Sequence, residues 1–280
     1  MSTILGMNYL EKPFDNIKVR QAFALALNKD EIMSSIWKGT RVATDHIVPA
    51  GMPGYNANLI GPAGVKSTAG DRALAKQLLQ QGLQEEGLTV QKLPPITFTV
   101  ASIGTVELRN QFAAEQQMWQ NTLGVTVRIE DIDFDKLLGE ISATTGNAHG
   151  LQMWMGDWVA DYPDAQDWLT LQFDRGAPNN NENYGQNNTS DAANQQQMQQ
   201  LMEQADHNLN QSNRTQQYNR AEQQLVNDVA WLPIDQRQAV VVNKPCVVGM
   251  VNNAESLTPP DDWSQIYKTT ATPCANVSQY

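Results

Sequence analysis

The chain has 280 residues, 41% of them hydrophobic and 18% charged, a composition that suits a folded globular body and argues against intrinsic disorder. A formal net charge of -11 argues against nucleic acid or an anionic membrane surface as a partner. No apolar run reaches the ~18 residues of a membrane-spanning helix.

Met1–Lys12 carries no basic stretch followed by an apolar one, so it does not read as a secretory leader. The first predicted helix runs from Ile17 to Asn28, with Val19, Ala22, Phe23, Ala26 and Leu27 on one face. A second, Glu31 to Lys38, is capped by Asp30 and stopped by Gly39. Val48–Tyr55 is a Pro/Gly loop. Asp71 opens a third helix through Leu79 that ends near Gly82. Strands follow at Ile96–Ala101, Val125–Ile129 and Leu151–Met155, alternating with helices at Val106–Leu123 and Phe134–Ile141. That order implies an α/β domain.

Residues 177–224 are rich in amides, and the whole chain holds 29 Gln and 24 Asn. Ala177–Ser190 reads as a polar loop. Two amphipathic stripes follow, Met198, Leu201, Met202, Ala205 and Leu209, then Tyr218, Ala221, Leu225 and Val226. This pattern puts the amides on wet helix faces. From Trp231 the tail turns to strands, at Ala239–Val242 and Cys246–Gly249. Cys246 and Cys274 either bridge, closing a loop of about 28 residues worth on the order of 3 kcal/mol, or stay as thiols, according to compartment.

The densest chemistry lies at Gly156–Trp168, with four carboxylates and three aromatic rings. It follows a strand and precedes a helix, where α/β ligand sites form. A carboxylate flanked by rings suits a cation. The plainer alternative makes Asp164 the cap of a helix over Ala165–Gln172 and puts Asp161 in a turn. A glycosidase pair drawn from Asp157, Asp161 and Asp164 is a rival from another class. His46, His149 and His207 are scattered, without metal-site spacing. Phosphate-binding glycine loops and a Gly-x-Ser-x-Gly elbow are absent, so no cofactor is expected.

Four segments carry a resemblance. Pro13–Ile32 reads PFDNIKVRQAFALALNKDEI, Asp71–Leu79 reads DRALAKQLL, Trp158–Asp164 reads WVADYPD, and Arg220–Gly249 leads into the closing strands. In this order they resemble the extracellular solute-binding proteins of family 5, the peptide- and nickel-binding components of ABC importers. The resemblance implies a periplasmic-binding-protein-like α/β fold of type II, class C. It implies a second lobe over 13–230 and a segment, 231–280, returning to a first lobe that is otherwise absent, together with its signal and anchor. It implies capture of peptides without catalysis, by a monomer outside the cytoplasm, as a periplasmic or lipid-anchored receptor that delivers to membrane permease subunits. Nickel complexes, sugars and other small solutes are the alternative ligands. Asp161 is implied to pair with a peptide α-amino group, Trp158 to line the cleft and Tyr162 to join the site. Arg20 is implied to be structural. Ala165 stands where the family pattern has proline.

Overall fold

The computed structural model describes residues 1–238, 242, 244, 246–250, 264 and 266–269. The chain opens on a strand that the sequence reading did not anticipate, β1 (Ser2–Met7), buried along its whole length. Helix α1 (Ile17–Leu25) starts where Asn16 accepts a hydrogen bond from the Lys18 amide. The short α2 (Lys29–Ile32) is capped by Asn28 rather than Asp30, and it continues as a π-helical turn over Met33–Trp37. Lys38 leaves that turn in the left-handed region.

Strand β2 (Arg41–Ala43) precedes a long loop. Helix α3 (Arg72–Glu85) is capped by Asp71 as expected but runs through Gly82. A Cβ at Gly82 would lie 2.9 Å from Val19 and from Asn16, so the glycine permits close approach of α3 to α1. The α/β block follows: β3 (Ile96–Val100), α4 (Val106–Leu123), β4 (Val127–Asp131), α5 (Phe134–Thr144) and β5 (Met153–Trp158). The helix expected over Ala165–Gln172 is divided into α6 (Ala165–Trp168) and α7 (Thr170–Phe173). Two longer helices, α8 (Ala192–Asp206) and α9 (Gln211–Asp228), lead to β6 (Leu232–Arg237).

Six strands form one sheet in the order β2-β6-β1-β5-β3-β4. The expected block is parallel, β3 to both β4 and β5. β1 runs antiparallel between β5 and β6. Consequently β3, β4, β5 and β6 all end on one edge. Ser2 faces both Trp158 and Gln236 there, so β1 begins on that edge as well. β1 and β6 extend the sheet beyond both ends of the 13–230 range. The pair β7 (Val247–Val248) and β8 (Tyr267–Lys268) forms a separate ribbon. β7 falls within the strand expected at Cys246–Gly249. Most of the strand expected at Ala239–Val242, and Cys274 with its candidate bridge to Cys246, lie outside the described residues.

Two apolar clusters flank the sheet. One joins Leu5 and Met7 to Phe23, Phe98, Phe112 and Trp119. The other joins Ile4 and Tyr9 to Trp168, Phe173, Tyr218 and Leu225. Leu209 was expected in the α8 stripe, but it lies beyond the helix and is fully exposed. The amides also depart from expectation. Asn180, Asn183, Gln195 and Gln199 are buried, not wet. Gln199 Nε2 donates to the Phe173 and Tyr184 carbonyls at 2.8 and 2.9 Å, and Gln195 Oε1 accepts from the Gly185 amide at 2.8 Å. The loop over 177–190 has no strand partner, so side-chain amides satisfy its backbone.

Arg20 is buried where the two clusters meet. It donates to the carbonyls of Asp228 (2.8 Å), Phe14 (2.8 Å) and Asp15 (3.1 Å), and its guanidinium lies 3.6 Å from the Tyr9 ring centroid. Lysine lacks the fork that makes these contacts together. Arg20→Lys is expected to lower unfolding free energy by about 2–4 kcal/mol, read by urea denaturation; a change within experimental error would refute the hub role.

Glu115, Glu182 and Glu222 are buried, each with one carboxyl oxygen lacking a partner among the described residues. Burial pushes all three up to about 8. The folded chain therefore holds protons that the unfolded chain releases near the ordinary value of about 4.3. Their stabilising contribution is complete below that value and is lost as pH rises through about 8. Glu115→Gln is expected to raise the urea midpoint far more at pH near 8 than at pH near 4. An equal shift at both pH values would contradict this assignment.

Candidate functional site

β5 delivers the acidic, aromatic segment to the edge where the parallel strands end. Strand-to-helix loops at that edge are where α/β sheets place ligands. Asp164 adopts the plainer of its two readings. It caps α6 by accepting from the Gln166 amide at 2.9 Å, and it takes a two-pronged ion pair from Arg214 of α9 at 2.7 and 2.8 Å. Burial raises its pKa, but the Arg214 and backbone bonds outweigh burial and hold the carboxyl below the usual range. Asp157 is also engaged. Its oxygens accept from Thr3 Oγ1 at 2.9 Å and from Arg237 at 3.1 Å. Two of the three carboxylates considered for a hydrolase are thus held by structural partners.

Asp161 differs from both. It is exposed, and its carboxylate has no hydrogen-bond or ion-pair partner among the described residues. Its backbone amide donates to Asp167 Oδ2 at 3.4 Å. The same Asp167 oxygen accepts from Trp158 Nε1 at 3.1 Å. One fully buried carboxylate therefore ties the indole of Trp158 to the backbone that presents Asp161. Burial raises the Asp167 pKa, partly offset by these two bonds. Tyr162 is exposed, and its hydroxyl donates to Gln166 one helical turn on.

Beside Trp158 lies a cavity of about 240 Å³. Ile4 of β1, Trp154 of β5 and Phe134, Leu138 and Ile141 of α5 form its apolar wall with Trp158. Gly6 carries no side chain, and a Cβ there would lie 2.3 Å from the Trp154 ring, so the strand accommodates the indole across its face. Glu182 and Trp231 also line it, with Trp231 Nε1 donating to Glu182 Oε1 at 3.0 Å, and Ser142, Asp157, Gln172, Asn179 and Asn181 add polar groups. Asp161 and Tyr162 are not among the lining residues; Trp158 connects the two parts of the site.

The sequence reading missed the α5 and 178–182 walls. Phe134, Leu138 and Ile141 carried a signal. They recur at i, i+4, i+7 beside the core position Leu137, an apolar stripe wider than one buried contact needs. Glu182 carried none, because a buried acid within an amide-rich loop looks the same as an exposed one. Among the described residues, no cluster of His, Cys, Asp and Glu is arranged to hold a metal ion.

A sequence model of the bacterial extracellular solute-binding proteins, family 5 (middle region), matches residues 1–180. The chain belongs to this family. It is 28% identical over 171 residues to the oligopeptide-binding protein OppA of Bacillus subtilis, covering 60% of this chain and 29% of OppA. It is 26% identical over 242 residues to the dipeptide-binding protein DppE of the same organism, covering 86% of this chain and 41% of DppE. The chain thus spans less than half the length of these two relatives. Two solved structures share its fold. Burkholderia pseudomallei OppA superposes with a TM-score of 0.72 at 21% identity, covering 96% of this chain and 48% of that one. DppA of Helicobacter pylori, solved with the peptide STSA, superposes with a TM-score of 0.69 at 20% identity, covering 95% and 47%. The α/β, periplasmic-binding-protein-like architecture expected from sequence is the one observed.

Asp167→Ala removes both bonds that link Trp158 to the Asp161 loop. The variant is expected to unfold about 2 kcal/mol more easily in urea and to shift the tryptophan emission of the folded state. Unchanged stability and emission would show that the link is not structural.

Proposed function

We propose that this member of family 5 is the second lobe of a substrate-binding component of an ABC importer and that it captures peptides. The observation that carries this reading is the unpartnered, exposed carboxylate of Asp161, held beside Trp158 at the strand-end edge. A peptide α-amino group is a cation with hydrogen-bond donors, and a free carboxylate backed by an indole suits it. Tyr162 stands at the rim. The peptide named with the DppA structure and the names of OppA and DppE support the same ligand class.

In this reading residues 13–230 form the lobe together with β1 and β6, and the chain after Arg237 leads toward a first lobe. Capture depends on closing two lobes around the ligand, because burial between them strengthens each polar contact. No step in the reading breaks a covalent bond. The receptor acts outside the cytoplasm, through a lipid anchor or free in a periplasm, and hands its ligand to permease subunits. It acts as a monomer.

Two measurements test this. By calorimetry the 280-residue chain alone is expected to bind peptides only weakly, and micromolar or tighter binding would defeat the two-lobe requirement. In a two-lobed receptor carrying this sequence, Asp161→Asn is expected to weaken free-amino peptides about tenfold or more and to spare N-acetylated ones. Equal loss for both would remove the amino-group role.

A further inference from the structure

We infer that Arg214 of α9 is a positioning residue for the Asp161 carboxylate: its guanidinium braces the turn that presents that carboxylate to the ligand. The inference rests on the amino-group role proposed for Asp161. Its own support is a chain of contacts that runs from α9 to the turn.

The turn has little means of holding itself. α6 spans four residues, Ala165–Trp168, and α7 another four, Thr170–Phe173. Helices this short do not persist on their own backbone bonds, because a first turn fixes several dihedrals for one hydrogen bond. Ala165 and Trp168 bury one side of α6. Arg214, near the start of α9, adds a polar grip. Its two-pronged pair with Asp164, at 2.7 and 2.8 Å, fixes the residue that caps α6. α6 in turn carries Asp167, whose Oδ2 accepts from the Asp161 amide and the Trp158 indole. Arg214 therefore acts on Asp161 through Asp164, α6 and Asp167.

Arg214 is itself held. Its side chain is 17% exposed, so solvent screens the ion pair less than it would at an open surface. Nε donates to the Ala205 carbonyl at 3.2 Å, and Nη2 donates to the Tyr218 hydroxyl at 3.1 Å. That hydroxyl donates to Asp206, which also accepts from Thr170 Oγ1 at 3.0 Å, at the start of α7. All three guanidinium nitrogens are used, and they join α8, α9 and both short helices. A lysine ammonium cannot make this planar set together. A carboxylate whose backbone is already fixed loses less freedom when it meets an ammonium group, and this is how the brace contributes to capture.

The charge of Arg214 works in the opposite direction. Asp161 attracts a ligand ammonium, and a nearby guanidinium repels it. If Arg214 acted only through its field, its removal would tighten the binding of free-amino peptides. A brace predicts weaker binding, so the sign separates the two.

The test has two readouts. In the 280-residue chain, solvent exchange of the Trp158 indole proton is followed by heteronuclear NMR, with the resonance identified by its loss in Trp158→Phe. Arg214→Gln is expected to speed this exchange about tenfold or more, and Arg214→Lys to speed it less. In a two-lobed receptor carrying this sequence, Arg214→Gln is expected to weaken free-amino peptides about fivefold or more and to spare N-acetylated ones, with Arg214→Lys recovering part of the loss. On an Asp161→Asn background, Arg214→Gln should bring no further loss. Asp164→Asn keeps a capping side chain and removes the ion pair, and it provides a second variant if Arg214→Gln does not fold. Unchanged indole exchange, tighter binding of free-amino peptides, or equal loss for both peptide classes would overturn the brace. The two readings fail separately. Faster indole exchange with no selective effect of Asp161→Asn defeats only the amino-group role. A selective Asp161→Asn effect with unchanged indole exchange defeats only the brace.

Discussion

The buried guanidinium of Arg20 is the contact on which the arrangement of this body depends. It binds the last turn of α9 through the Asp228 carbonyl and the loop before α1 through Phe14 and Asp15. Tyr9 stacks beneath it and donates to the same Asp228 carbonyl at 2.8 Å. The Asp228 carboxylate accepts from Tyr184 at 2.8 Å, which brings in the amide-rich loop. Three segments distant in sequence, residues 9–20, the loop at Tyr184 and the end of α9, thus share one polar knot. A buried cation is costly unless its donors are used; Nε and Nη1 are used here while Nη2 has no partner among the described residues, and the bonds made favour one relative placement of these segments over others.

That placement sets the geometry of the site. α9 ends in the knot, Val229 turns the chain in the left-handed region, and β6 enters the sheet beside β1. Arg237 at the end of β6 then reaches Asp157 on β5. Tyr184 holds the loop that carries Glu182 into the cavity wall. The cavity therefore joins residues from both sides of the sequence, Ile4 and Trp231, to the segments that flank Asp161. The functional edge follows from strand direction, because every parallel strand delivers its outgoing loop to the same side.

Burial of uncharged polar groups gives this body much of its character. Gln111 and Glu115 bond to each other at 2.9 Å inside α4, and Trp37 donates to Gln111 at 2.6 Å. Asn183 donates to Asn8 and to the Thr144 carbonyl at 2.9 and 3.0 Å. An amide both donates and accepts, so it can satisfy an irregular backbone that lacks a strand partner, without the desolvation cost of a charge. The unusual Asn and Gln content thus contributes to internal structure as well as to surface polarity.

Local periodicity and capping were enough to read the alternating α/β block, the helix starts at Ile17 and Asp71, and the end of α4 at Leu123. The ordered motifs were enough for the family. Those features depend on neighbours a few residues apart, which a sequence displays directly. The strand β1, the division of α6 from α7, the burial of Gln195 and Gln199, the roles of Asp157 and Asp167, and the Arg214 partner of the Asp164 cap were not legible. Four carboxylates in one short segment look alike on the page. Tertiary structure separates them by what lies opposite: Thr3 and Arg237 for one, Arg214 for another, the Trp158 indole for a third, and no described partner for Asp161. Their partners come from strands and helices as many as 154 residues away, so only the folded chain decides which carboxylate is left free to meet a ligand.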